Sequence, residues 1–475
     1  MNRHVVKLNF VNTNFDRWVK DFTLKKKGMI NHMNINEYIE KNYNGKNDWF
    51  SQEVEKGYHL QRISNVVNYK NYLGGQHKVL QREDIKYKEQ EYITRKIVIQ
   101  EAKTILNFHS TYLLGKPVSL VGSENMVKEI EKIYRRGEYN DIDYRILDKM
   151  SKFGDAYEYI YVDNKVIKSK IIDSAYGYPV YSESGNYIAF IEHWITNNIY
   201  YYNVYYTDRV QEWNNEGGEL QLINEYKNIT GLPIHYHSLS DEDDNFGVSI
   251  LKDIRPILDE IEDLLSKMGD SIYTLSLNPL LTTIGQEIEG TISADACGYN
   301  ISLEAGSDMK YVSANMDYST IKLYLDTLAQ KLNIVAHMPS IVSGNTNVAN
   351  VSEVSLKLLY QLADVMAMLS EKCITRGLNK RFNIFKKILE LQGIEFQDED
   401  YVSVAFNYSR PMNMSELLDN LRKQFDMNAI SKRSIIEKSP LTTDVAQELF
   451  RLDEEGSNSS EKVVDTEADN KGDRN

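Results

Sequence analysis

Ile250-Leu-Lys-Asp-Ile-Arg-Pro-Ile-Leu-Asp-Glu-Ile-Glu-Asp-Leu-Leu-Ser-Lys-Met268 is the stretch from which the fold can be read. Ile250, Ile254, Ile257, Ile261, Leu264 and Met268 step by four and three alternately, and Leu251, Leu258 and Leu265 add a flanking row at sevens. This spacing predicts a helix with one broad buried face. Continued to about Leu277, it is on the order of 40 Å long. Pro256 lies inside the pattern, so the helix either starts there or is kinked. Asn278-Pro279 ends it. Residues 280–316 read as short strands around Gly285, Gly290, Gly298 and Gly306, and residues 317–337 turn helical again. A small β-rich module is thus inserted between two long helices.

The next run, His337-Met-Pro-Ser-Ile-Val-Ser-Gly-Asn-Thr-Asn-Val-Ala-Asn350, holds no Lys, Arg, Asp or Glu. A small, neutral loop between helices suits a surface that touches a charged polymer without gripping it, because grip on phosphate comes from cations. A helix is predicted from about Val351 to Leu391, with Asn350 and Glu353 at capping-box spacing and Gly393 closing it. A strand, Asp400 to Tyr408, precedes a last helical set with Ser415 and Ser431 as N-caps and Asp444 with Gln447 as another. Residues 453–475 are acidic and Ser- and Asn-rich, the composition of a disordered tail.

Upstream, residues 1–50 are polar and basic in patches, with Lys25, Lys26 and Lys27 in a row, and read as an arm or a few helices. Ile97 to Leu114 has helical spacing, stopped by Gly115 and Pro117. Asn125–Arg136 and Asp143–Phe153 are further short helices. From Ala156 to about Ile234 the period becomes two, with Tyr157, Tyr159 and Tyr161 on one side and turn clusters at 182–186 and 214–218. The class is therefore α+β, with an antiparallel sheet region beside helices.

With 475 residues, 42% hydrophobic and 26% charged, the chain can hold two to four soluble domains. A net charge of -14 argues against tight, sequence-independent nucleic-acid binding, though it allows a protein that encloses DNA and lets it slide. Tyr, at 33 copies against 14 Phe and 4 Trp, suits half-buried strands and wet interfaces. Cys297 and Cys373 make no disulfide framework, so a reducing cytoplasm is expected. No secretory leader and no membrane span are expected.

Chemistry-bearing motifs are sparse. No phosphate loop, G-x-S-x-G elbow or H-E-x-x-H pair occurs. The best metal candidate is His235 and His237, at i, i+2 on a strand face, with Asp241 and Asp243 close behind. Asp241, Asp243 and Asn245 mimic half a calcium loop, but Gly falls at position seven and Lys252 takes the place of the closing Glu. A solvated acidic linker before the long helix explains the same residues. The enzymatic reading is a metal-dependent hydrolase built on this cluster; a monomeric tail or adaptor protein is a further alternative. No catalytic residue and no cofactor are assigned.

The order of elements resembles the portal proteins of tailed bacteriophages of the SPP1 type. The residues that carry the resemblance are Asn71-Tyr-Leu-Gly-Gly-Gln-His77, Tyr112-Leu-Leu-Gly-Lys-Pro-Val118, Gly154-Asp-Ala-Tyr-Glu158, the helix pair around the β module, the neutral loop, and 409–455 with Ala429-Ile-Ser431 and Asp444 to Arg451. It runs from about Gly57 to Glu455. Val351-Ser-Glu-Val354 departs from the Gly-containing helix start of many relatives, which stiffens the loop's exit.

The resemblance implies a portal-like architecture. Residues 1–50 stay an N-terminal arm, 51–246 form a wing of helices then sheet, and 247–278 and 317–336 are two stem helices flanking a clip at 279–316. A tunnel loop at 337–351, a long wing helix and strand at 352–408, a helical crown at 409–455 and the tail at 456–475 follow. It also implies a ring, usually of twelve subunits, at one capsid vertex of the virion, assembled in the host bacterial cytoplasm. Implied partners are further copies of the chain, double-stranded DNA, the terminase large subunit, head-completion or adaptor proteins, and major capsid and scaffolding proteins. Ser343, Gly344, Asn345, Thr346, Asn347 and Asn350 would then contact DNA, and Lys252, Asp259, Glu262, Asp263 and Lys267 would line the channel. Residues 252–270 carry three basic and six acidic side chains, which predicts a net repulsive wall.

Overall fold

The computed structural model describes residues 34–87, 90–273, 280–286, 303–312, 317–339, 353–411 and 414–439, with 441–442, 445 and 447–452. The chain divides into two units, Met1–Met338 with Ala363–Ser409, and Pro339–Leu362 with Arg410–Asn475.

The first unit opens with α1 (Ile35–Tyr43), α2 (Trp49–Glu53) and α3 (Gly57–Leu73). Residues 35–50 are not an arm. Tyr38, Tyr43, Trp49 and Phe50 are buried in one cluster with Tyr178, Val180, Ile191 and Tyr202 of the sheet. Their aromatic area outweighs the polar composition that suggested an extension. Glu53 pins the three helices: the hydroxyls of Tyr38 (2.8 Å), Tyr43 and Tyr58 (2.8 Å) and the Lys56 ammonium (3.0 Å) all donate to its buried carboxylate. Burial pushes that carboxyl up, but His59, Tyr43 and Lys56 outweigh it and hold it at about 2. A hairpin, β1 (Ile85–Tyr87) with β2 (Gln90–Tyr92), precedes α4 (Glu101–Leu114), β3 (Ser119–Gly122), α5 (Glu124–Gly137) and α6 (Tyr139–Phe153). The helix expected from Ile97 starts four residues later, for a reason given below.

Gly154 turns the chain from α6 into the sheets. Its φ is 87°, and a Cβ there would sit 2.5 Å from the Gly247 carbonyl oxygen, so only glycine fits. β4 (Asp155–Asp163), β5 (Val166–Ile172), β6 (Gly177–Tyr181), β7 (Tyr187–Thr196), β8 (Ile199–Tyr205), β9 (Arg209–Asn214), β10 (Gln221–Lys227) and β11 (Ile234–His237) follow. They form a three-stranded sheet, β11-β4-β5, and a five-stranded sheet, β10-β9-β8-β7-β6, with every pairing antiparallel. The clusters at 182–186 and 214–218 are the β6–β7 and β9–β10 turns. Tyr157, Tyr159, Phe190, Tyr205 and Val210 fill the space between the sheets.

α7 (Leu251–Ser271), β12 (Leu280–Ile284), β13 (Asp308–Val312) and α8 (Tyr318–Val335) come next. α7 begins upstream of Pro256 and carries it in its second turn, where the ring removes one bond to the Lys252 carbonyl. β12 and β13 pair antiparallel, as the inserted module requires. α9 (Glu353–Leu359) and α10 (Gln361–Leu391) replace the single helix expected over 351–391, with a turn at Tyr360 between them. Asn350 and Asp444 lie outside the described residues. β14 (Val402–Ala405) pairs with β3. In the second unit, α11 (Met414–Asp426) already includes Ser415, so that residue is not its N-cap. Ser431 does cap α12 (Lys432–Lys438), its side chain accepting from the Ser434 amide at 3.2 Å.

α10 is locked to the three-stranded sheet by Arg381, which is fully buried. Its Nη1 donates to Asp143 of α6 and its Nε donates to Glu158 of β4 at 3.0 Å. Tyr236 and Ser169 donate to the two Glu158 oxygens, each at 2.6 Å. One turn before, Gly377 lies on the Tyr236 ring, where a Cβ would be 2.1 Å from Cε1. Gly377→Ala is therefore expected to lower unfolding free energy by about 1–3 kcal/mol, and Arg381→Ala by about 3–5 kcal/mol because two carboxylates are left unpaired. Urea titration of each variant measures both.

Candidate functional site

α7 buries both rows of its predicted stripe. Leu251, Ile254, Leu258 and Ile261 pack with Tyr72 of α3, Ala102, Ile105 and Leu106 of α4, and Leu332 and Ala336 at the end of α8. Ile250, Ile257 and Leu265 close the edges.

The polar side of α7 is occupied too. Residues 94–99 run extended along it. The Arg95 amide donates to Asp270 Oδ1 (2.6 Å), the Ile97 amide to Ser266 Oγ (2.9 Å) and the Ile99 amide to Glu262 Oε1 (2.7 Å). Two residues of extended chain advance about 6.6 Å and four residues of helix about 6.0 Å, so alternate amides meet successive turns. A slip of one turn toward the helix N-terminus would bring Ile99 opposite Leu258, which accepts nothing. This ladder is why Ile97 and Ile99, apolar at helical spacing, are not helical: their amides are taken by side chains of α7.

Two further groups tie the ladder down. Arg82 donates to the Arg95 carbonyl (2.6 Å) and to Asp270 Oδ2 (2.9 Å), with its Nε 3.6 Å from Asp263 Oδ1. His77, buried and stacked on Tyr72 at 4.0 Å, meets both Glu262 oxygens with Nδ1, at 2.7 and 2.9 Å, so Nδ1 carries the proton. At the far end of α8, buried His109 of α4 donates Nε2–H to the Ala336 carbonyl at 2.6 Å, satisfying a group the helix end leaves open. Burial lowers the His109 pKa to about 4, against the opposing pull of that carbonyl.

α8 is the reverse case. Asp317 caps it by accepting from the Ser319 and Thr320 amides, and Tyr324 donates to Glu260 of α7 at 3.2 Å. Yet of its residues only Leu332 is buried. Tyr318, Leu323, Tyr324, Ile334 and Val335 are exposed, Leu323 by 69%.

The residues singled out in the sequence fare differently. Lys252 and Lys267 are exposed on α7 and pair with Glu242 and with Asp263 (2.7 Å). Asp259 pairs with Arg255 at 3.6 Å. Glu262 is not a surface residue: it is 1% exposed and holds His77 and the Ile99 amide. With Glu262 inward, Asp270 paired with Arg82, Asp263 with Lys267 and Asp259 with Arg255, the charged side chains of α7 that are left are Lys252, Asp253 and Glu260. The excess of acid over base counted along α7 is reduced, not removed. Ser343, Gly344, Asn345, Thr346, Asn347 and Asn350 lie outside the described residues.

His235 and His237 do share a strand face, with ring centroids 5.2 Å apart. Both nitrogens of His235 are engaged, Nε2 with Asp155 (2.8 Å) and Nδ1 with Tyr181 (2.8 Å), while Asp241 and Asp243 lie in an exposed turn. Among the described residues no three His, Cys, Asp or Glu side chains converge as metal ligands. The hydrolase cluster is not assembled. Sequence reasoning missed Arg82, His77, Ser266 and Asp270. Serine and aspartate four apart, continuing from Glu262, were the available signal.

A family model described as phage portal protein, SPP1 Gp6-like, matches residues 53–462. The portal protein of Bacillus phage SPP1 is 22% identical over 388 residues, covering 74% of this chain and 74% of that one. Among solved structures, a chain from the neck of an empty gene transfer agent particle is 12% identical with a TM-score of 0.47, covering 70% of this chain and 87% of that one. A chain from the virion of a native gene transfer agent particle is 11% identical with a TM-score of 0.44, covering 78% and 91%.

Ser266→Ala removes the middle acceptor of the ladder and is expected to cost about 1–2 kcal/mol. Hydrogen exchange at residues 95–99 should rise while exchange in β7 and β8 stays as it was. The pH dependence has a definite sign. Folded His109 and His59 titrate at about 4, below the ordinary 6.5, so the unfolded chain takes up protons first. Their contribution is complete above 6.5 and is lost as pH falls from 6.5 toward 4. The urea midpoint should drop through that window, and His109→Gln, which keeps a donor for Ala336, should make the drop shallower.

Proposed function

The chain belongs to the SPP1 Gp6-like family of phage portal proteins, and from that premise we propose that copies of it close into a ring, of twelve subunits, whose central passage carries double-stranded DNA into and out of a capsid. The observation that carries this reading is α8, a long capped helix with Tyr318, Leu323, Tyr324, Ile334 and Val335 left uncovered in one subunit. Exposed large apolar side chains gathered on one long helix mark an interface. A neighbouring copy covers it.

In this reading α7 and α8 are the stem, the β12–β13 hairpin belongs to the clip, and residues 337–351 form the tunnel loop. The clip meets the terminase large subunit during packaging and head-completion proteins afterwards. The wing faces major capsid and scaffolding proteins, and 409–455 form the crown. The protein supplies a conduit and a docking platform, not turnover, at the portal vertex of the virion.

The slight excess of acid on α7 fits a conduit. Each cation paired to phosphate adds a counterion-release gain to binding, and symmetry multiplies it around a ring. A wall with a slight excess of acid gives the duplex no cationic hold. Ser343, Asn345, Thr346 and Asn347 add exchangeable hydrogen bonds without a charge.

Leu323→Glu with Ile334→Glu is expected to prevent ring closure while leaving the subunit folded, since both side chains are exposed. Light-scattering mass and electron images of the particle check this; rings that still close would show that α8 is not the interface. Asn345→Lys with Asn347→Lys should leave rings intact but slow packaging and retain DNA. Unchanged packaging without retention would remove the loop from the DNA path.

A further inference from the structure

β10 is the outer strand of the five-stranded sheet, and all seven of its residues are exposed. Edge strands left to water are usually kept short or broken by proline. β10 instead carries Leu222, Ile223 and Tyr226. The register shifts between Leu222 and Asn224, so Ile223 has no partner on β9, and it is 58% exposed. Its surroundings are acidic. Residues 208–227 hold Asp208, Glu212, Glu216, Glu219 and Glu225 against Arg209 and Lys227. Arg209 is taken by Asp208 (3.2 Å) and Glu225 (4.0 Å). Glu212, Glu216 and Glu219 have no cation partner among the described residues.

A second surface has the opposite character. Ile133 of α5, Ile167 of β5, Leu389 of α10 and Ile394 form the floor of a hollow of about 200 Å³, large enough for one aliphatic side chain. Lys132, Arg136 and Lys165 stand around it. Glu129 also lines it but is paired with Lys132 at 2.6 Å. Arg136 and Lys165 have no acid partner among the described residues, and neither have Lys128 and Arg135 of the same helix. The backbone holds Lys165 at the rim: it is the second residue of the two-residue β4–β5 turn, with φ at 65°, a place that favours glycine. In a chain of net charge -14 this is a local excess of cations. The two surfaces are opposite in sign, one offers an apolar side chain and the other a hollow, and both are open in one subunit. Different patches that fit each other make a heterologous contact, the kind that repeats head to tail and closes into a ring.

We propose that the β10 edge of one copy docks on the α5 face of the next, with Ile223 in the neighbour's hollow and Glu212 and Glu219 against the neighbour's Arg136 and Lys165. This rests on the ring reading above and adds to it a charged contact that sets which way successive subunits face. Apolar cover on α8 has no such polarity, whereas opposite charges on two different patches reject the reversed arrangement.

Charge reversal on the full chain tests this, with light scattering giving the subunit concentration at which rings form. Arg136→Glu with Lys165→Glu should raise that concentration about tenfold or more, as should Glu212→Lys with Glu219→Lys, and all four together should return it to within about threefold of the unaltered chain. As an independent measurement, Ile223→Cys subunits mixed with Lys165→Cys subunits should be joined by a short bifunctional thiol reagent, and neither variant alone should be. Rings that form as before despite either reversal, a fourfold variant that is not rescued, or a mixture that is not joined would overturn the contact and leave the ring reading in place. An unaltered chain that stays single would remove the ring itself, and this contact with it.

Discussion

A guanidinium with no access to water sets how α10 meets the rest of the first unit. Arg381 lies between Asp143 of α6 and Glu158 of β4, and Tyr236, Ser169 and Tyr134 complete the shell. Desolvating three charges costs several kcal/mol each, and attraction repays it only in one geometry. Such a cluster adds little net stability, but it excludes neighbouring registers of the helix. Gly377 against Tyr236 does the same by steric means one turn away. α10 therefore has a fixed seat within the first unit.

The ladder on α7 answers the same demand for backbone. An extended segment laid on a helix has no strand partner for its amides, and orphaned donors are costly away from water. Ser266, Asp270 and Glu262 supply acceptors from side chains. His77 and Arg82 then bind the carboxylates that accept. This is also why the helix surface is less acidic than its composition: some acids counted as outward charges are spent inside the subunit.

The fold was legible wherever period and punctuation agreed. The α7 stripe and the strands from Ala156 to Ile234 with their turns follow from local spacing, and the Gly154 junction from the family resemblance. The errors arose where tertiary contacts overrode it. Ile97 and Ile99 have helical spacing but lie extended because α7 takes their amides. Residues 35–50 look polar because Tyr38, Tyr43 and Trp49 are few, though each buries a large area. The turn at Tyr360 has no proline or glycine to announce it. For the site, the apolar face was visible in the sequence and the polar one was not. Nothing in the neighbourhood of Glu262 reveals that it points inward to His77, which lies 185 positions away along the chain.

The two repeats that meet in the ladder are close but unequal. Over its three rungs the extended chain advances about 13 Å and the helix about 12 Å. The pair behaves as a vernier: the marks coincide over a short window and drift apart beyond it. A strap of this kind is self-limiting in length, so the contact between an extended segment and a long helix must end after a few turns. The remaining length of α7 is left to be covered by something with its own helical repeat.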